Sequence, residues 1–208
     1  DIIDLNILNV CEDTLFKYGT HESFYSEGVS LGGSYKIENK HYFLFMGWQN
    51  DGINHWRGDI GRLLVEEDFK IEVDPKEAFI GIDNEDQISL SYPCVVFHEG
   101  IYKMWYGSTI VWSSSNGEMI HVIKYATSKD GEKWDKHGIA IPYEMGVAQA
   151  FSRPTVYINE SGYHMWYSYR SGNGTKYRIG YATSMDGLNW SRKHELNDLD
   201  VSKEEWEN

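Results

Sequence analysis

Tyr125-Ala-Thr-Ser-Lys-Asp-Gly-Glu-Lys-Trp134 and Tyr181-Ala-Thr-Ser-Met-Asp-Gly-Leu-Asn-Trp190 are two copies of one stretch. Each reads as the end of a strand, a tight Asp-Gly turn and the start of a returning strand. Glycine takes positive φ at no steric cost, and aspartate before it favours the turn. The tryptophan three residues later offers a large ring to pack between neighbouring sheets. One copy would mark a turn. Two copies, each inside a longer matching segment, mark a repeat.

The segments match upstream as well. Pro93 and Pro154 precede apolar runs, Cys94-Val-Val-Phe97 and Thr155-Val-Tyr-Ile158, and turns follow at His98-Glu-Gly100 and Asn159-Glu-Ser-Gly162. Second strands read Tyr102-Lys-Met-Trp-Tyr106 and Tyr163-His-Met-Trp-Tyr167. The two prolines are 61 residues apart, as are Trp105 and Trp166, whereas Tyr125 and Tyr181 are 56 apart. The slack therefore lies in the loop between the second and third strands, where insertions are tolerated. A more diverged unit holds Ser34-Tyr-Lys-Ile37, Tyr42-Phe-Leu-Phe-Met46 and Ile60-Gly-Arg-Leu-Leu-Val65, with Phe69 where tryptophan would stand.

Period-two alternation dominates and no stretch carries a helical stripe. Four-stranded units of about 60 residues with aromatics at fixed places predict an all-β propeller of antiparallel blades. A β-sandwich also has many short strands, but it gives no reason for one unit to recur at constant spacing. The units fall at about 29–75, 88–143 and 149–194 within a single domain spanning 1–208. Two arrangements of the flanks, 1–28 and 195–208, are open. Ile2–Val10 and the tail form a composite fourth blade, or Leu199–Asn208 opens a further blade and the ring is incomplete. An incomplete ring exposes a strand edge and an apolar face, which favours self-association.

The chain has 208 residues, 32 acidic against 19 basic, and a net charge of -13. Such an excess of acids excludes charge-driven binding to nucleic acid or anionic membrane. No apolar run reaches transmembrane length. The start, Asp1-Ile-Ile-Asp-Leu-Asn6, lacks the basic and apolar regions of a secretory signal, so a cytoplasmic location is expected. Cys11 and Cys94 follow no metal or redox spacing and read as free thiols. The eight histidines show no ligand spacing, and neither cofactor nor metal is expected.

Several motifs carry a family resemblance: Phe45-Met-Gly-Trp48, Ser91-Tyr-Pro93, Lys103-Met-Trp-Tyr106, Ile123-Lys-Tyr-Ala126, Ser152-Arg-Pro154, Met165-Trp-Tyr-Ser-Tyr-Arg170 and Tyr177-Arg-Ile-Gly-Tyr-Ala182. Over residues 27–193 the sequence resembles the five-bladed propellers of the arabinanase, levansucrase and invertase superfamily. That group includes glycoside hydrolase families 43, 32, 68 and 130. The resemblance implies five blades, an incomplete ring in this chain, and a saccharide or glycoconjugate ligand at the channel mouth. It points to a glycoside hydrolase-like enzyme. A non-catalytic sugar-binding propeller and a protein-interaction scaffold are the alternatives.

In a propeller the innermost strands begin at one rim. That brings together Leu31–Gly33, Ser91-Tyr92 and Ser152-Arg153, with the loops bearing Trp48–Asp51, Ser108–Trp112 and Ser168–Arg170. Glycoside hydrolysis ordinarily uses two carboxyl groups. The resembled hydrolases commonly carry aspartate directly before the blade-opening proline, whereas Tyr92 and Arg153 stand there in this chain. Glu27, Glu85 and Asp51 are the catalytic candidates, with Glu22, Asp83 and Asp86 behind them. For each acid alone, a solvated loop carboxylate is the competing reading. Arg153 and Arg170 are candidates for gripping a carboxylate, a phosphate or sugar hydroxyls. Trp48 and Trp112 are candidates for stacking on a sugar ring, and Tyr92 and Tyr169 complete the binding set. Asp130 and Asp186 fall in outer turns away from the channel. Trp105, Trp134, Trp166 and Trp190 recur at equivalent places and read as structural.

Overall fold

A computed structural model describes residues 16–50, 52, 55–66, 70–172 and 176–193. The expected strand at 2–10, Cys11, Asp51, Phe69 and the 199–208 stretch lie outside the described residues. Those described form an all-β structure of twelve strands in three successive antiparallel meanders. The first holds β1 (Gly28–Ile37), β2 (Lys40–Gln49), β3 (Arg57–Val65) and β4 (Ile71–Val73). The second holds β5 (Leu90–His98), β6 (Ile101–Val111), β7 (Ile120–Ser128) and β8 (Asp135–Ile139). The third holds β9 (Ala150–Asn159), β10 (Gly162–Arg170), β11 (Arg178–Ser184) and β12 (Ser191–Arg192). A single parallel pair, His121 with Ala150, joins the second sheet to the third.

Each unit opens on a strand with the same irregularity. Register shifts fall between Leu31 and Ser34, between Ser91 and Cys94, and on β9 opposite the Trp166–Ser168 step of β10. The extra residues are Gly32-Gly33, Tyr92-Pro93 and Arg153-Pro154. Proline cannot donate to a ladder and is tolerated in a strand at such a bulge. Tyr92 and Arg153 have φ of 39° and 50°, a left-handed conformation that non-glycine residues seldom adopt. β1, β5 and β9 lie side by side, so the three bulges face a common axis.

The Asp-Gly turn differs from the two-residue hairpin expected. β7 ends at Ser128 and β8 begins at Asp135. Asp130 Oδ1 accepts the backbone N–H groups of Glu132 (2.8 Å) and Lys133 (2.9 Å), and Ser128 Oγ accepts that of Gly131 (2.8 Å). These side-chain acceptors favour a wider turn over a direct hairpin. Gly131 has φ of 75°, as its place in the turn requires. Backbone N–H donation from Lys133 and Glu132, with Ser128 Oγ, holds the Asp130 carboxyl at about 2. Asp186 makes the same contacts with Leu188, Asn189 and Ser184, so both aspartates are committed to their turns.

Each turn also caps the preceding unit. Gly131 O accepts the Tyr35 hydroxyl at 3.0 Å, and Glu132 pairs with the buried Arg62 at 2.8 Å. Gly187 O accepts Trp105 Nε1 and Trp190 Nε1, both at 2.8 Å. Trp105, Tyr163 and Trp190 then share one buried cluster with Met165 and Phe151. A second cluster joins Tyr35, Leu44 and Ile60 of the first unit to Met104 and Tyr106 of the second.

The four tryptophans are not equivalent in burial. Trp105 is fully buried and Trp190 nearly so, but Trp166 is 38% exposed. At that strand position the burying surface comes from the next unit's turn, and among the described residues none follows the third unit. Trp105→Ala is accordingly expected to destabilise the fold by about 3–5 kcal/mol. Trp166→Ala is expected to cost about 1 kcal/mol or less. Denaturant unfolding of the two variants beside the parent measures the difference.

Candidate functional site

A cavity of about 250 Å³ opens where the inner strands begin. The bulges of β5 and β9 supply Ser91, Tyr92, Ser152 and Arg153. Trp48 from β2 and Trp56 before β3 form an aromatic wall, their ring centroids 5.3 Å apart. Met119, His121, Ser168 and Tyr177 complete the lining. A second cavity of about 230 Å³ runs along Gly32-Gly33, Pro93-Cys94 and Pro154-Thr155 and shares Tyr92 and Arg153 with the first. The Arg153 guanidinium carbon lies 4.2 Å from the Tyr92 ring centroid, a cation–π contact that holds the guanidinium at the boundary of the two cavities.

His121 is buried in the cavity wall. Ser91 Oγ lies 2.7 Å from its Nε2 and Thr109 Oγ1 2.8 Å from its Nδ1. Burial pushes the imidazole pKa down to about 4. The ring is neutral at neutral pH, with one nitrogen donating and the other accepting. Gly107 makes room for the pair, because a Cβ there would stand 2.1 Å from Ser91 Oγ and 2.4 Å from His121 Nε2.

At the rim, Glu118 binds Arg170, with Oε2 3.0 Å from Nε and Oε1 3.1 Å from Nη2. Glu118 closes a loop between β6 and β7 in which Ser114 N and Oγ donate to its carbonyl. Gln149, fully buried, ties that loop to β9 through Ser114, Asn116 and the carbonyl of Met119. The Arg170 guanidinium lies 4.9 Å from the centre of the Tyr177 ring.

Of the residues singled out from sequence, Trp48, Tyr92 and Arg153 line the cavity, and Arg170 sits at its edge behind Tyr177. Trp112 lies one step away, stacked on His55 at 4.6 Å and edge-on to Trp56 at 4.8 Å. It lines a neighbouring cleft with Gln49 and Arg57. Tyr169 packs against the core of the third unit beside Tyr167. Glu27 is exposed just before β1, and its backbone N–H donates to Trp48 O at 2.9 Å. Glu85 is exposed in the 83–86 turn, where its carbonyl receives Lys124.

Asp86 is buried. Burial alone would raise its pKa, but Lys124, Lys136 and Ser108 outweigh that and hold it below the ordinary carboxylate range. Asp59 is likewise buried, accepting Gln49 at 2.7 Å and Arg57 at 2.9 Å. Among the described residues, the cavity lining holds no carboxylate.

Trp56, Glu118, His121 and Tyr177 were not apparent from the sequence reading. His121 and Tyr177 had a signal, because each stands four residues before the repeated tyrosine, Tyr125 or Tyr181. The repeat thus delivers the same third-strand position to the cavity twice.

No protein-family model matches the chain. Solved structures share its fold. A glycoside hydrolase superposes with TM-score 0.70 and 12% identity, covering 90% of this chain and 61% of its own. The sucrose-6-phosphate hydrolase of Lactobacillus gasseri gives TM-score 0.64 and 13% identity over 83% of this chain and 36% of its own. The Bombyx mori GH32 β-fructofuranosidase BmSUC1 gives 0.65 and 10% over 82% and 37%. The chain therefore has a glycosidase-like propeller fold and spans roughly a third to three-fifths of these structures. The uncharacterized proteins MT1551 and Rv1502 of Mycobacterium tuberculosis, strains CDC 1551 / Oshkosh and H37Rv, are each 33% identical to it over 211 aligned positions. Those matches cover 99% of this chain and 70% of each relative, and the chain belongs to their family.

Neutral, buried His121 gives the fold a pH signature. Its folded pKa lies below the unfolded value of 6.5, so between about 6.5 and 4 the unfolded chain binds the extra proton. Stability contributed by the neutral ring is present above 6.5 and lost as pH falls to about 4, roughly 3 kcal/mol in all. Denaturant unfolding across that window is expected to show the loss. His121→Gln is expected to flatten it.

Proposed function

We propose that this chain is the carbohydrate-binding part of a glycoside hydrolase-like protein, with the sugar seated in the cavity at the mouth of the inner strands. The observation carrying this reading is the lining: Trp48 and Trp56 on one side, with the hydroxyls of Ser91, Ser152 and Ser168 and the Arg153 guanidinium on the others. Indole rings cover the apolar face of a sugar, and the polar groups bond its hydroxyls and fix its orientation. At about 250 Å³ the space lies near the lower end of small-molecule sites, roughly 300–1,000 Å³, which suits a single sugar residue. The five-bladed arrangement implied by the sequence resemblance belongs to this proposal, as does self-association through the exposed Trp166 face.

Glycosidic bond cleavage is the second reading. The shared fold favours it, and so does Glu27, whose backbone bond to Trp48 places it beside the strand that carries the aromatic wall. Two carboxyl groups are needed, and binding without hydrolysis is the reading the lining itself supports.

Calorimetry against a panel of saccharides is expected to detect binding, and Trp48→Ala to weaken it about tenfold through loss of the aromatic surface. Absence of binding to every saccharide rejects the proposal. If a glycoside is turned over, Glu27→Gln is expected to abolish release of sugar while leaving the unfolding midpoint in place. Unchanged turnover removes Glu27 from the mechanism.

A further inference from the structure

The geometry points to a sugar that carries an anionic group, a carboxylate or a phosphate, bound at Arg153. This rests on the reading of the cavity as a sugar seat and narrows it to one substrate class. Arg57, Arg62, Arg170 and Arg192 each stand within 3.0 Å of a carboxylate. Arg153 meets only the face of the Tyr92 ring, and no described carboxylate pairs with it. In a chain of 32 acids and 19 basic residues, this exposed guanidinium at the cavity mouth faces no described carboxylate.

The contact with the Tyr92 ring uses no hydrogen-bond donor of the guanidinium, and a guanidinium edge binds carboxylate or phosphate in bidentate fashion. Ser152 and Ser168 lie in the same lining and can donate to the remaining anion oxygens. Local charge agrees. Among the described residues the lining contains one cation, a neutral histidine and no carboxylate, although the whole chain is at -13. Arg153 also adopts its left-handed backbone, φ 50°, at the bulge that turns it toward the axis. Unfavourable conformations of this kind concentrate at functional sites.

Fluorescence of the cavity tryptophans provides the readout, in titrations with glucose, glucuronate and glucose 6-phosphate. Both anionic sugars are expected to bind about tenfold or more tightly than glucose. Arg153→Gln is expected to bring the three level, and Arg153→Lys, which keeps the charge without the fork, to retain part of the preference. Equal affinity of all three for the parent protein overturns the anionic assignment and leaves the sugar-binding reading standing. A preference that survives Arg153→Gln has the same consequence. No response to any of the three overturns the anionic assignment, and the sugar-binding reading falls only if the whole saccharide panel also fails to bind. Competition by inorganic phosphate but not acetate assigns the seat to phosphorylated sugars, and the reverse assigns it to sugar acids. Competition by neither counts against an anion seat.

Discussion

The structure depends on one hand-over between neighbouring units: a glycine carbonyl in the outer turn of one unit accepts an aromatic donor from the unit before it. Tyr35 gives its hydroxyl to Gly131, and Trp105 gives its indole N–H to Gly187. The turn can offer that carbonyl because the Asp130 and Asp186 carboxylates and the Ser128 and Ser184 hydroxyls already hold its N–H groups. A buried indole N–H or phenol without a partner costs on the order of 1–3 kcal/mol, so the hand-over orients the sheets as well as joining them. Sheets packed this way present their first strands to a common axis, and that places Tyr92 and Arg153 in contact.

The same requirement bears on how an acidic chain builds a cavity whose described lining holds no acid. Many of its carboxylates act as internal acceptors. Asp86 gathers two lysines, a tyrosine and a serine in the second unit. Asp59 holds Gln49 and Arg57 at the base of β3. Glu132 pairs with an arginine of the preceding unit, and Glu118 with one of the following unit across the rim. The negative charge is thereby distributed over turns and sheet edges. The axial mouth is left to hydroxyls, indoles, a neutral imidazole and one guanidinium.

Much of the architecture was legible in the sequence because a repeat reports its own geometry. The prolines mark the bulges, the alternating runs mark the strands, and the spacing separates a constant frame from a variable loop. Positions of Tyr92 and Arg153 at the mouth follow from being first in their units. What stayed hidden depends on partners distant in the chain. Asp86 is anchored by Lys124 and Lys136, and nothing local distinguishes it from exposed Glu85. Trp166 has the sequence surroundings of Trp105, but its exposure depends on whether another turn lies against it. Glu118 sits in the least regular loop, where spacing carries no information. The width of the Asp-Gly turn was missed because the aspartate and serine side chains replace hydrogen bonds that a two-residue hairpin would have made through the backbone.

The bulge that opens the second and third units has a consequence for how such proteins diversify. Its shape is set by an extra residue, a following proline and a left-handed backbone, none of which specifies the side chain placed there. Tyrosine fits it at 92 and arginine at 153, and both reach the axis. The position behaves as a socket: the chemistry presented to the ligand can be exchanged while the frame holding it stays fixed. In this chain the two positions place an aromatic ring against a cation. The side chain presented at the axis can thus change one residue at a time without redesigning the sheets.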